Sequence, residues 1–228
     1  MPEPSPEPDS PHSFVSRAGR KLNHALEHFQ LDVTGFTCAD FGCNVGGFTD
    51  CLLQRGAERV YAIDTGYGTL AWLLRSDERV VVLERTNALH ADPPDESVDL
   101  ITIDLAWTPQ RHAIPAALKW LQRSAVADGN ASGRIITLIK PHYELTEPEK
   151  AELLVYGQLD PGEAERITRR VLDAMPALGA AVIDWTLSPI TGGKSGRKRR
   201  KSGTASGQVG PGNVEFLALL QPAATTGA

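Results

Sequence analysis

The chain has 228 residues, 41% of them hydrophobic, so it can bury one substantial core but not the cores of two ordinary domains. No apolar run approaches the roughly 20 residues that a membrane-spanning helix needs, and the acidic start MPEPSPEPDSPH is neither a signal peptide nor a transit peptide. We therefore expect a cytoplasmic protein without a membrane segment. The net charge of −5 alone argues weakly against nucleic acid as a partner.

The first elements are a tail and a basic helix. Residues 1–12 are rich in proline and acidic side chains, with almost nothing to bury, which predicts a disordered tail. From Val15 to Leu31 the apolar residues recur with the 3.6-residue period of a helix. The other face of this helix is basic and carries Arg17, Arg20, Lys21 and His24.

Strands and helices then alternate along the chain. The predicted strands lie near 36–41, 58–63, 79–84, 98–103, 133–139, 180–186 and 214–220, and the predicted helices near 46–55, 67–75, 109–123 and 161–176. This alternation indicates an α/β fold with a doubly wound parallel sheet, whose ligands bind beyond the carboxyl ends of the strands. The segment 142–160 has only weak helical character, and we expect it to be a surface excursion near the site.

The end of the chain modifies this pattern. The last two predicted strands are joined by the glycine-, lysine- and arginine-rich stretch 188–212, which leaves no room for a crossover helix. An antiparallel hairpin is therefore expected, with the last strand running against the others. The prediction is one domain over 13–222 with a seven-stranded, mostly parallel sheet, a flexible basic loop at 190–211 and a disordered tail at 223–228.

Residues 40–51 form the most informative motif. Asp40, Gly42, Gly46 and Gly47 follow an apolar strand with the spacing D-x-G-x-x-x-G-G, which differs from the G-x-G-x-x-G of nicotinamide and flavin sites. Glycines at such a turn let the backbone approach a ligand closely. The spacing favours S-adenosylmethionine as the ligand. The alternative is a tight strand-to-helix turn that binds nothing.

The three cysteines do not indicate a metal site. Cys38, Cys43 and Cys51 form no C-x-x-C pair, and no fourth zinc ligand lies nearby in the sequence. We expect small, reduced core residues in a protein without a metal.

Polar residues close the predicted strands, at the edge where a ligand would bind. Asp64 lies 22 residues beyond Gly42, at the distance at which an acid accepts the ribose hydroxyls of an adenosine; capping the next turn is its alternative. Asn87 could meet an adenine edge or simply form a turn. Asp104 ends the fourth strand, where it could either contact a ligand or begin a turn. Lys140 ends the fifth, and it either reaches solvent or stays in a cleft with an acidic partner.

A dense basic stretch reverses the impression given by the net charge. Six cations fall within the eight positions 194–201, which takes the charge of the remaining chain from −5 to −11. Such a stretch among glycines could bind RNA phosphates, or it could be a solvated insertion with no specific role. The cations are Lys194, Arg197, Lys198, Arg199, Arg200 and Lys201.

Seven segments together resemble one family. They are SRAGRKL (16–22), DFGCNVGGFTD (40–50), VYAIDTGYGTLAW (60–72), VLERTN (82–87), LITIDLAW (100–107), LIKPHYE (138–144) and GNVEF (212–216). In this order they resemble the ribose 2′-O-methyltransferases of the FtsJ group, nearest to its TlyA (hemolysin-like) rRNA methyltransferases. The resemblance runs from Phe14 to about Leu220. TlyA-like proteins carry an S4 RNA-binding domain before the first of these segments, and we expect the proline-rich acidic residues to stand in its place here. The basic stretch and the residues after Asp104 also differ from that branch.

The resemblance implies a site and a reaction. A Lys-Asp-Lys-Glu tetrad falls on Lys21, Asp104, Lys140 and Glu215, with Lys140 as the base, Lys21 as a cation that favours its neutral form, and the two carboxylates as hydrogen-bond partners. A structural ion-pair network is the alternative. The predicted cofactor residues are Asp40, Gly42, Asn44, Gly46, Gly47, Phe48, Asp64, Asn87 and Asp104, and the predicted RNA-binding residues are Arg17, Arg20 and the six cations of 194–201.

We therefore expect a single-domain, Rossmann-like methyltransferase that transfers a methyl group from S-adenosylmethionine to a ribose 2′-hydroxyl of RNA, most simply rRNA or a ribosomal subunit. Two alternatives remain open at this point. One is methylation of an RNA base or a small molecule, and the other is a catalytically silent RNA-binding protein on the same fold. The sequence does not indicate an oligomeric state.

Overall fold

The computed structural model describes residues 13–128, 133–192 and 212–223, and this part of the chain forms a seven-stranded α/β sheet. The strand order is β3-β2-β1-β4-β5-β7-β6, and β7 is antiparallel to both of its neighbours. The predicted α/β fold with one reversed strand is thus confirmed. The strands are β1 (Thr37–Phe41), β2 (Arg59–Ile63), β3 (Val80–Leu83), β4 (Leu100–Ile103), β5 (Arg134–Ile139), β6 (Ala180–Leu187) and β7 (Phe216–Pro222).

Helices cover both faces of the sheet. They are α1 (Ala18–His28), α2 (Gly47–Gln54), α3 (Trp72–Arg75), α4 (Gln110–Asp128), α5 (Glu147–Leu153) and α6 (Pro161–Asp173). Side chains of α1, α2 and α3 share one apolar core with one face of the sheet, and those of α4 and α6 share another with the opposite face. Strand β5 shows the alternation that this requires, since Ile135 and Ile139 belong to one core and Ile136 and Leu138 to the other. All three cysteines are buried and free.

Two helices differ from the sequence prediction. The helix expected at 67–75 begins only at Trp72. Gly68 has a left-handed φ of +70° and donates its N–H to Glu84, and this keeps the residues before Trp72 in a loop. A helix also forms inside 142–160, where only weak character was expected. It starts with a capping box between Thr146 and Glu149 and buries no residue fully, while Leu153 at its end packs against the core.

Several predicted segments lie outside the described residues. These are the tail 1–12, most of the basic loop 190–211 and residues 224–228. Ala223 is described, and it donates a backbone hydrogen bond to the carbonyl of Gly179. The domain boundaries therefore stay predictions.

The glycine loop after β1 is shaped by close contacts within the protein. Gly42 has a φ of +91°, and a Cβ there would lie 2.7 Å from the backbone oxygen of Asp104. At Gly47 a Cβ would meet the hydroxyl of Ser16 and lie 2.8 Å from the Cβ of Ala18. These glycines thus let β4 and α1 approach the loop, which explains their presence before any ligand is considered.

Asp40 supports the same loop from inside the core. Its side chain is fully buried, and its carboxylate accepts hydrogen bonds from the N–H and hydroxyl of Thr49 (3.0 and 2.7 Å) and from the hydroxyl of Thr102 (3.0 Å). Burial raises the pKa of the Asp40 carboxyl to about 7, although the hydrogen bonds from the two threonines oppose this shift. Asp40 therefore ties the start of α2 to β4.

Replacing Gly47 by alanine should separate α1 from α2. The added Cβ has no space against Ser16 and Ala18, so we expect the free energy of unfolding to fall by about 1–3 kcal/mol. Gly162→Ala is the matched control, because its Cβ would meet only the carboxylate of Asp160, at 3.1 Å. Denaturant unfolding measures both variants. Equal stability of the Gly47 variant and the wild type would show that the helices are not in close contact.

The raised pKa of Asp40 makes a contribution to stability that depends on pH. Between about pH 4 and 7 the folded protein retains a proton that an unfolded aspartate releases, so this contribution is present at low pH and is lost as the pH rises towards 7. Asp40→Asn removes the titration. The stability of the wild type relative to this variant should therefore decrease from pH 4 to 7 and then level off. A difference that stays constant over this range would contradict the assignment.

Candidate active site

A cavity of about 430 Å³ opens at the carboxyl edge of the sheet, between the glycine loop, the start of α1 and the residues that follow β4 and β5. It brings together nine of the fourteen predicted site residues that the structure describes. Those that line it are Arg17, Lys21, Gly42, Asn44, Gly47, Phe48, Asp104, Lys140 and Glu215. Those that do not are Arg20, Asp40, Gly46, Asp64 and Asn87.

The four predicted tetrad residues form two ion pairs in this cavity. Lys21 pairs with Glu215, and both side chains are buried. The ammonium of Lys140 lies 2.6 Å from the carboxylate of Asp104 and also donates a hydrogen bond of 3.1 Å to the carbonyl of Leu105. Each lysine thus has its own carboxylate. The arrangement places two cations and two anions at one wall of the cavity.

The register of the sheet explains why residues so distant in sequence meet there. Ile139, the last residue of β5, pairs with Phe216, the first residue of β7, because the two strands are antiparallel. Lys140 and Glu215 therefore flank the same end of this pair of strands. Lys21 reaches them from α1, whose first turn lies against the glycine loop.

Asp64 lies beside the cavity and organises its glycine loop. One carboxylate oxygen accepts the N–H of Asn44 at 2.9 Å, and the other accepts the N–H of Gly66 at 2.7 Å. Asn44 itself has a left-handed φ of +49°. A carboxylate has about four acceptor sites, so Asp64 keeps the capacity to accept further donors.

Asn87 and the nearby Glu84 make contacts within the protein and do not line the cavity. The Asn87 side chain accepts the N–H of Leu89 at 3.0 Å, which is the local turn that the sequence left open as its alternative. Glu84, three residues earlier, joins Arg75 of α3 to the end of β3 and also accepts the N–H of Gly68 at 2.7 Å. The hydrogen bond from Arg75 lowers the pKa of the Glu84 carboxyl.

Three aromatic residues form a further wall of the cavity that sequence reasoning missed. The rings of His142 and Tyr143 have centroids 4.0 Å apart, and that of Trp107 lies 6.3 Å from Tyr143. Trp107 is 71% exposed and has a left-handed φ of +55°. The available signal was their proximity in sequence to Asp104 and Lys140.

His142 is uncharged at neutral pH. Burial lowers its pKa to about 4, and the charge of Lys140 acts in the same direction. Its Nδ1 atom is buried without a hydrogen-bond partner among the described residues. The imidazole therefore adds no positive charge beside Lys140.

The predicted RNA-binding residues are only partly described. Arg17 lines the cavity and is exposed, and Arg20 is exposed outside it. The six cations of 194–201 lie outside the described residues. The chain leaves the described part at Gly192 and returns at Gly212, and the N–H of Gly192 donates to the carbonyl of Asn213 at 2.8 Å.

Within the described ranges, no group of three or more histidine, cysteine, aspartate or glutamate side chains is placed to hold a metal ion. Of the helices described, none is long and apolar enough to cross a membrane.

Comparison with known proteins identifies relatives of this chain. The chain is 35% identical over 214 residues to YqxC of Bacillus subtilis, to which an rRNA methyltransferase activity is ascribed, and the match covers 92% of this chain and 66% of that protein. It is 42% identical over 156 residues to the 16S/23S rRNA (cytidine-2′-O)-methyltransferase TlyA of Mycobacterium tuberculosis, covering 68% of this chain and 52% of that one. The chain thus spans between about half and two thirds of the length of these two relatives.

A solved structure and a family model complete the comparison. A Streptococcus thermophilus protein described as a hemolysin superposes with a TM-score of 0.78 at 30% identity, over 96% of this chain and 70% of that one. The model of the FtsJ-like methyltransferases matches residues 14–171, which is well over half of the chain. This chain therefore belongs to the FtsJ-like methyltransferase family, whose cofactor is S-adenosylmethionine.

Proposed function

We propose that this protein transfers a methyl group from S-adenosylmethionine to a ribose 2′-hydroxyl of rRNA. The observation that carries the proposal is the Lys140–Asp104 pair, which lies in one cavity with the glycine loop and the Lys21–Glu215 pair. A similar relative is named as a cytidine-2′-O-methyltransferase, so cytidine is the acceptor that we propose. With rRNA as the substrate, we also propose that the reaction takes place in the cytoplasm.

The residues around the glycine loop fit the cofactor. We assign the amino acid part of S-adenosylmethionine to the loop of Gly42, Asn44, Gly47 and Phe48, which lines the cavity. Asp64 would accept the ribose hydroxyls with its remaining acceptor sites, and Asn87 would meet the adenine. Asp40 and Gly46 act indirectly. Asp40 holds the loop from the core, and a Cβ at Gly46 would lie 2.8 Å from Leu70.

The contacts of Lys140 fit the geometry of a general base. A neutral amine has two hydrogens and one lone pair. The Asp104 carboxylate and the Leu105 carbonyl would hold the two hydrogens, so the lone pair is left to take the proton of the ribose hydroxyl. The cofactor supplies a methyl group on a sulfonium centre. Holding the hydroxyl oxygen in line with that group supplies much of the acceleration.

The Lys21–Glu215 pair would support the reaction electrostatically. Lys21 lines the same cavity as Lys140, and we assign it as a cation that orients the reacting groups. Glu215 compensates this charge inside the protein, where an unpaired lysine would be costly. His142 is neutral, so it adds no charge to the two ion pairs.

Contacts with RNA would come from two groups of cations. Arg17 and Arg20 extend from the start of α1, and the six cations of 194–201 belong to the stretch that begins and ends beside Asn213. Lysines and arginines among glycines and serines suit phosphate contact rather than base reading. This part of the proposal depends on charge alone.

Substitutions at Lys140 test the chemistry. Lys140→Ala should bind S-adenosylmethionine as the wild type does, measured by calorimetry, but lose methyl transfer by about 10²–10⁴-fold. Lys140→Arg should be no better, because a guanidinium does not deprotonate in this pH range. Lys119→Ala is the control, since Lys119 is an exposed lysine paired with Asp92. Wild-type turnover in the arginine variant would exclude Lys140 as the base.

Removal of the charge in 194–201 tests the RNA contact. Replacing its six cations by serine keeps the length of the segment. The affinity for RNA should fall, and its dependence on salt should flatten by roughly 0.7 log unit for each phosphate of a single strand that the segment no longer binds. Cofactor affinity should not change. An unaltered RNA affinity and salt slope would show that the segment has no part in binding.

A further inference from the structure

One tight turn of the protein is strained without an evident structural benefit. Val155 and Gln158 exchange two backbone hydrogen bonds of 2.9 Å, and the two residues between them are Tyr156 and Gly157. Both have left-handed φ angles, +52° and +78°. Such two-residue turns favour asparagine and glycine, because a large side chain is disfavoured in this conformation.

The tyrosine ring does not offset this strain by packing. Tyr156 is fully exposed, at 102%, and the neighbouring Val155 is 64% exposed. Within the described part of the chain the ring has no hydrogen-bond or aromatic partner. An exposed aromatic side chain in a strained backbone conformation is a feature that binding explains better than folding.

The turn is also held firmly beside the candidate active site. The side chain of Asn213 donates to the carbonyl of Gly157 at 3.0 Å and accepts the N–H of Leu159 at 2.8 Å. Leu159 is buried in the core. Asn213 lines the cavity, two residues before Glu215. Tyr156 thus lies in a turn that Asn213 fixes by two hydrogen bonds, next to the place where we assign methyl transfer.

The proposed function makes RNA the occupant of the surface beside the cavity. Several acidic side chains of α5 and α6 are paired, as Glu147 with Lys150, Glu149 with Arg170 and Glu165 with Arg169. Unpaired bases stack on exposed aromatic rings with little preference for sequence.

We propose that Tyr156 stacks on an unpaired base of the RNA substrate, outside the nucleotide that is methylated. This inference rests on the proposed function, since it needs RNA in the cavity. It assigns the turn a binding role that is separate from cofactor binding and from catalysis.

Substitution of Tyr156 separates the role of its ring from the strain of its backbone. Tyr156→Asn introduces a residue that tolerates the left-handed conformation, so the denaturant midpoint should rise. Loss of one base–aromatic stack should nevertheless weaken the binding of a labelled single-stranded RNA by roughly 5- to 150-fold. Tyr156→Phe keeps the ring and should bind like the wild type. Ile183→Ala, which shortens an exposed side chain of the edge strand β6, is the control.

The outcomes distinguish this inference from the proposed function. If the wild type transfers methyl groups to rRNA and the asparagine variant binds RNA normally, the stacking role is wrong while the function stands. Weak binding by the phenylalanine variant would likewise overturn stacking, because the hydroxyl would then be the contact. Absence of RNA methylation by the wild type, with cofactor binding intact, would refute the function itself.

Discussion

The antiparallel course of β7 between β5 and β6 is the constraint on which the site depends. Parallel strands end at one edge of the sheet, whereas β7 begins there, and this brings Glu215 to the same edge as Asp104 and Lys140. A parallel last strand would carry Glu215 to the opposite edge and leave Lys21 without its partner. The reversed strand therefore completes a charge arrangement whose members come from four separate parts of the chain.

The site combines groups that are costly to bury with partners that reduce this cost. Lys21 and Glu215 are both buried, and either one alone would be strongly unfavourable. The glycine loop is similarly supported from within, by Asp40, whose carboxylate has three hydrogen bonds but no access to solvent. Buried polar contacts thus position the loop and Lys21.

The sequence predicted the positions and directions of the strands better than the contacts within the site. Strand positions and the reversed last strand followed from apolar runs and from a connection without a helix. The predicted tetrad positions all line one cavity, but their division into two pairs depends on the register between Ile139 and Phe216, which no local pattern contains. Likewise, D-x-G-x-x-x-G-G indicated a loop but not that Gly47 is required by the approach of α1.

The most direct test of this account is the position of the methyl group in the product. The protein should be incubated with rRNA and isotope-labelled S-adenosylmethionine, and the RNA then digested to nucleosides for mass spectrometry. Our account predicts the label on the ribose oxygen, so that the neighbouring phosphodiester resists alkaline hydrolysis. A label on a base, with the ribose unmodified, would contradict the central claim that Lys140 takes a proton from a ribose hydroxyl.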